Sequence, residues 1–256
     1  MTDHSLKTVQ LTSDKRADID DSFTKPDELG LVPSWSYSAL KVYETCPYRS
    51  YIQKVKKVYE DAGPAAERGS RIHKLAEDYV QTKIDELPDE LKKFAAQFED
   101  LRKLYCEGKV EVEGEWGFTL DWDTTGWMAP DTWARIKLDA IVHESETSAR
   151  VIDHKTGKKF GNEIAHGQQA LIYAIGTFFR HPTLEHVQTE LWYLDQAETT
   201  IQAYTRDEAM VFAPGLYQRA IAMTTATEFP PNPGKENCRW CPYKKGEHPI
   251  CEWGVK

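Results

Sequence analysis

Asp153-His154-Lys155 follows the apolar pair Val151-Ile152 and is closed by Thr156-Gly157, the pattern of a strand running into a turn. Side chains alternate along a strand, so Asp153 and Lys155 project from one face, roughly 6.6 Å apart along the chain. A carboxylate and an ammonium at that spacing can serve one phosphate. The carboxylate holds a divalent cation, and the lysine orients or activates a water. A strand ending in a plain salt-bridged pair would carry the same residues, so the neighbouring elements decide between the two readings.

The stretch Trp133 to His143 alternates apolar and polar residues. Ala134, Ile136, Leu138, Ala140 and Val142 are expected on one face, with Asp139 on the wetter one beside Arg135 and Lys137. Val110, Val112, Trp116, Phe118 and Leu120 alternate similarly with Glu111, Glu113 and Glu115. Consecutive strands would thus offer carboxylates to one side, enough for a hard-cation site that Glu113 or Glu115 could complete. Upstream, Ile72, Leu75, Ala76 and Tyr79 have helical spacing, with Gly69 and His73 one turn apart so that a backbone can pack close to His73. Downstream, Gln169 and Tyr173 present hydrogen-bonding tips one turn apart on an apolar helix.

In chain order, G-x-x-x-H, D, D-x-K and Q-x-x-x-Y, the set resembles the RecB-like branch of the PD-(D/E)XK nuclease superfamily from about Ser34 to the C-terminus. The resemblance implies an α/β fold, a mixed central β-sheet flanked by helices with a restriction-endonuclease-like core. It implies that His73, Asp139, Asp153 and the His154 carbonyl bind Mg²⁺ or Mn²⁺, that Lys155 serves the water, and that Gln169 and Tyr173 contact the DNA backbone. Two positions depart from the family pattern: Ile136 stands where glycine is common, and His154 replaces the usual aliphatic residue.

The cysteines form a second line. With no N-terminal apolar signal run and no stretch of ~18 to 20 apolar residues, the chain is expected in the cytoplasm, where disulfides are disfavoured. Cys238-Arg-Trp-Cys241 and Cys251 then suggest a metal. With His248 they make a tetrahedral Zn²⁺ set; with Cys46 they make a four-thiolate set for a [4Fe–4S] cluster. The segment Ser36 to Tyr48, ending in Cys46-Pro47-Tyr48, resembles the N-terminal Cys-Pro element of iron–sulfur nucleases related to the AddB subunit and the CRISPR adaptation exonucleases, although the gap from Cys241 to Cys251 is longer than expected there. Cys106 is expected to be a buried small apolar residue.

At 256 residues, 40% hydrophobic and 29% charged, the chain can bury a sizeable core. Residues 1–33 are polar, with Asp18, Asp20, Asp21, Asp27 and Glu28, and read as a flexible acidic leader before a single nuclease domain over 34–256. The net charge of −9 requires a local basic track for DNA. Candidates are Lys54, Lys56 and Lys57, then Arg68 and Arg71, then Lys158 and Lys159, with Tyr48, Trp240, Tyr243 and Trp253 able to stack on bases or pack around the cysteine metal. Helices are expected at 38–58, 68–82, 89–106, 162–179 and 206–226, with three strands between 110 and 155 and further strands near 186–204. No P-loop is present. These features predict a metal-dependent DNA nuclease, an exonuclease on single-stranded DNA or DNA ends, working with a helicase or recombination partner. The rival is a non-catalytic DNA-binding or scaffold module of a repair or replication complex that keeps the fold.

Overall fold

The computed structural model describes residues 26, 28–59, 63–244 and 250–255, so most of the expected leader and His248 lie outside the described residues. Helix α1 spans Tyr37–Thr45 and is capped by the Ser36 hydroxyl, which accepts the Ala39 N–H. Helix α2, Pro47–Lys54, follows at once. The single helix expected over 38–58 is broken because Pro47 excludes the helical conformation from Cys46, which is extended at φ −159°, ψ 104°. That break leaves the Cys46 thiol at the joint between two helices.

Helix α3, Pro64–Val80, starts on a proline and buries Ile72, Ala76, Tyr79 and Val80 along one stripe. A 3₁₀ turn, Asp89–Phe94, leads into α4, Ala95–Cys106, which buries Phe98 and Leu101. Cys106 is exposed rather than buried. It lies five residues beyond Leu101, roughly 140° around the helix, and so points away from the core.

Strands β1 (Val110–Phe118), β2 (Thr124–Thr125), β3 (Ala134–His143), β4 (Ser148–Lys155), β5 (His186–Tyr193) and β6 (Glu198–Thr205) form one mixed sheet in the order β2-β1-β3-β4-β5-β6. Neighbours are antiparallel except β4 and β5, which are parallel and joined by α5, Glu163–Arg180. Helices α6 (Arg206–Met210), α7 (Ala213–Thr224) and α8 (Lys235–Arg239) follow.

Two cores form. One joins α1, α5 and α7 to the sheet through Leu40, Trp116, Trp133, Ile136, Leu138, Val151, Ile172, Phe178 and Tyr217. The other joins α3 and α4 to it through Ile72, Phe98, Val110, Ala140, Val142, Ile152 and Trp192. The uniform apolar face expected of β3 is therefore divided: Ala134, Ile136 and Leu138 serve the first core, and Ala140 and Val142 the second. The division falls where Glu113 of β1 takes φ 52° and the β1–β3 partners pass from Val112↔Ala140 to Gly114↔Leu138, leaving Asp139 at the crossover. Ile136, where the family commonly has glycine, is accommodated by Gly176 on α5, since a Cβ at 176 would collide with Ile136 Cδ1.

Candidate active site

β3 and β4 are paired from His143↔Ala149 to Ala140↔Ile152, and the ladder stops there. Asp139 and Asp153 are the next residues, so the strands part at the two acids. Asp139 is not on a wet face as expected but buried, 8% exposed. One carboxylate oxygen replaces the lost rung by accepting the His154 backbone N–H at 2.6 Å, and the other meets His73 Nδ1 at 2.8 Å. Burying a carboxylate is costly unless it is paired and hydrogen-bonded, and these two contacts meet that demand. Burial pushes the His73 imidazole down, but the hydrogen bond and charge of Asp139, with Asp153 and Glu113 nearby, outweigh it and hold His73 above its ordinary value. Burial likewise raises Asp139, and the His73 hydrogen bond with the neighbouring histidine charges brings it below the usual carboxylate range. The two shifts describe one imidazolium–carboxylate pair.

Gly69 explains how α3 delivers His73: a side chain there would press on Thr156 Oγ1 at 3.2 Å, in the turn that follows β4. Arg68 fastens the same helix by a bidentate pair with Asp195 at 2.7 and 3.0 Å, and Arg71 pairs with Glu90 at 2.6 Å.

Asp153, 6% exposed, sits in a ring of side chains made of three hydrogen bonds and closed by an ion pair, its Oδ2 making no hydrogen bond of its own. Lys155 Nζ lies 2.7 Å from Asp153 Oδ2 and donates to Gln169 Oε1 at 2.7 Å. Gln169 Nε2 donates to the Tyr173 hydroxyl at 2.6 Å, and that hydroxyl donates to Asp153 Oδ1 at 2.6 Å. Burial first, and then the Asp153 charge, push the Tyr173 phenol far up, so it stays protonated and the direction of the ring is fixed. Tyr173 is thus buried against an acid, and half-buried Gln169 bridges it to the lysine.

His154 points to the other side of β4, among Phe98, Trp192 and His73, at ring distances of 5.1, 5.5 and 6.0 Å. Burial holds its imidazole below the ordinary value, and neither ring nitrogen has a hydrogen-bond partner. Donor atoms of His73, Asp139 and His154 lie within 4.8 Å of one another. Among the described residues no trio of donor atoms that includes Asp153 lies within that span; Asp139 and Asp153 are buried where the strands part, each against a cationic side chain, whose charge a divalent ion would take over. Glu113, on Lys137 at 2.7 Å, is close enough to act on His73; Glu115 is exposed and reaches the same lysine at 3.4 Å.

Beside the ring opens a cleft of about 670 Å³ whose wall includes Gln169 and Tyr173 together with Trp35, Tyr37, Lys41, Lys54, Trp127, Arg135, Lys137 and His166. Lys54 was expected in a basic track; Lys41, Arg135 and His166 were not. His166 accepts from or donates to the Tyr193 hydroxyl at 2.9 Å and stands one turn before Gln169, a spacing that the sequence does display. Arg135 is read from the chain as a solvent-face residue, yet it bonds Ser34 Oγ at 2.6 Å and the Trp127 carbonyl at 2.9 Å through a loop contact no local pattern reveals.

Cys46, Cys238, Cys241 and Cys251 line one small pocket where the two ends of the described chain meet. Asn232 closes it, its N–H to Cys46 Sγ at 3.4 Å and its amide to the Thr45 carbonyl at 3.0 Å. Backbone hydrogen bonds at Gly234 and Val255 hold the Cys238 thiol below its ordinary value, and burial raises Cys241. Thiolates on one tetrahedral zinc at ~2.3 Å would stand within ~4 Å of each other. Among the described residues no trio of cysteine sulfurs lies within 4.8 Å. Tyr48 and Trp253 pack edge to face at 4.8 Å and Tyr243 is buried, whereas Trp240 is exposed.

Residues 34–246 match the sequence profile of the PD-(D/E)XK nuclease superfamily. Among solved structures, the protein named SSO0001 is 16% identical over 95% of each chain, with a TM-score of 0.46. A protein of Eubacterium rectale described as a candidate exonuclease is 14% identical over 91% of each chain, with a TM-score of 0.47. An alkaline exonuclease from Laribacter hongkongensis is 12% identical over 75% of this chain and 87% of its own, at 0.31. No curated protein matches the sequence.

Proposed function

Since the chain belongs to the PD-(D/E)XK nuclease superfamily, we propose that it is a divalent-metal-dependent DNA nuclease, an exonuclease acting on single-stranded DNA or DNA ends. The observation that carries this reading is the ring joining Asp153, Lys155, Gln169 and Tyr173, placed between the Asp139–His73 pair and a basic, aromatic cleft. Asp139, Asp153, His73 and the His154 carbonyl are the groups that would hold Mg²⁺ or Mn²⁺. When bound, the ion polarises the scissile phosphate and acidifies a water.

The chain's own residues do the rest. Tyr173 fixes the orientation of Asp153 by its hydrogen bond. Lys155, tethered by Gln169, is held where its ammonium can orient the attacking water and meet charge developing on the phosphate. For the strand track we favour Lys41, Lys54 and Arg135, with Tyr37 and Trp127 as stacking surfaces, because Arg68 and Arg71 already meet Asp195 and Glu90.

For the cysteine pocket we propose a [4Fe–4S] cluster on Cys46, Cys238, Cys241 and Cys251. What supports this reading is that Cys46 lines the same pocket as Cys238, Cys241 and Cys251, so four thiols from distant parts of the chain are brought together. The functional reading is tested by incubating purified protein with end-labelled single-stranded DNA, blunt duplex and RNA, with Mg²⁺ or Mn²⁺. Faster loss of label from single-stranded DNA supports it; exclusive degradation of RNA, or binding without cleavage in either metal, overturns it.

A further inference from the structure

At the opposite end of α5 from Gln169, a different set of donors converges. Glu111 of β1, His143 at the end of β3 and His181 at the C-cap of α5 place a carboxylate oxygen and two imidazole nitrogens within 4.8 Å of one another. His143 Nε2 is 3.1 Å from Glu111 Oε1. The His143 and His181 rings meet edge to face, centroids 5.0 Å apart. His181 Nε2 is buried and has no hydrogen-bond partner, although buried polar atoms are nearly always paired.

The donors stand on rigid backbone. The His143 N–H bonds the Lys109 carbonyl at 2.8 Å, and the His181 N–H bonds the Thr177 carbonyl at 2.9 Å. Trp116 packs edge to face on His181 at 5.7 Å, and Glu111 is exposed to solvent. Burial, with His143 beside it, lowers His181 from its ordinary value, the direction that favours the neutral imidazole a metal needs.

We propose that Glu111, His143 and His181 form a second metal site, separate from the catalytic centre, that takes a borderline divalent transition ion, Zn²⁺ foremost. Two imidazoles and one carboxylate plus water is a standard zinc donor set, whereas Mg²⁺ prefers oxygen ligands alone. Because its ligands come from β1, β3 and the C-terminal end of α5, the ion ties the helix that carries Gln169 and Tyr173 to the sheet. Its expected effect is on stability.

The test is a titration of the full chain with Co²⁺, whose spectrum separates nitrogen and oxygen ligation from thiolate ligation, and with Zn²⁺ in a thermal melt. Glu111→Gln, His143→Gln and His181→Gln should each remove one nitrogen/oxygen-type Co²⁺ from the count and abolish the Zn²⁺-dependent rise in Tm. The affinity loss should exceed the ~10- to 100-fold cost of deleting an outer-shell partner. Asp153→Asn should leave this ion in place. Glu111→Gln alters an exposed side chain and guards against a misfolded histidine variant. If the count and the Zn²⁺ response are the same in all three variants as in the parent, or if Asp153→Asn alone removes the ion, the proposal is wrong.

Discussion

Replacing Tyr173 by Phe deletes one oxygen from the centre of the ring and leaves Asp153 Oδ1 without its donor at a site 6% exposed. A hydrogen bond to a charged acceptor contributes about 1.5–3 kcal/mol, and here Lys155 still meets the other oxygen. The half-buried Gln169 amide can turn to water, so the loss should be about 2 kcal/mol in the metal-free protein. For a chain of this size that is a fall in Tm of about 4–8 °C. The deficit should shrink in saturating Mg²⁺, because an ion on Asp153 supplies the charge that the phenol had supplied. Thermal melts of parent, Tyr173→Phe, Asp153→Asn and the double variant, with and without Mg²⁺, close a cycle whose coupling should be about 1–3 kcal/mol. An unchanged Tm, or a deficit identical with and without Mg²⁺, would refute the assignment of Tyr173 as the residue that orients Asp153.

The remaining expectations concern other contacts. His73 is raised and Asp139 lowered, so their pair should stabilise the metal-free protein from above the carboxylate range up to the ordinary imidazole value, and the contribution should fade as pH rises through the raised His73 value. Metal competes with that proton, so calorimetric metal affinity should increase over the window in which metal-free stability falls; affinity independent of pH would remove His73 from the ligand set. Gly176→Ala should cost about 1–3 kcal/mol by denaturant melting through collision with Ile136 Cδ1, and Ile136→Val, which deletes that carbon, should recover part of it. Anaerobically purified protein should contain iron, and Cys46→Ser should lose it and much of its stability, since the cluster would close a loop of about 190 residues with an upper estimate near ~5 kcal/mol. Iron-free protein in which one zinc survives Cys46→Ser would overturn the cluster.

Much of the fold was legible because its signals are local. The alternation in β1 and β3, the helical stripe around Ile72 and Tyr79 and the order of elements all follow from period and punctuation. What was missed depends on partners distant in sequence. Asp139 departs from the wet face that alternation predicts, because alternation assumes a flat strand, whereas the left-handed Glu113 opposite it lets β3 pass between two cores. The break at Cys46 was visible in Pro47 and outweighs helical spacing. The links from Tyr173 to Asp153 and from Arg135 to Ser34 span 20 and 101 residues and leave no periodic trace.

The central claim is tested most directly by cleavage of end-labelled single-stranded DNA with Mg²⁺ by the parent and by Asp153→Asn, purified in parallel and compared at equal Tm-verified folded concentration. The substitution keeps size and shape but halves the pair of buried carboxylates on which the metal depends. Metal-dependent cleavage by the parent, stopped by chelator and reduced to background in Asp153→Asn, is the predicted result. Equal cleavage by the two proteins, or no cleavage by the parent in either Mg²⁺ or Mn²⁺, would contradict it.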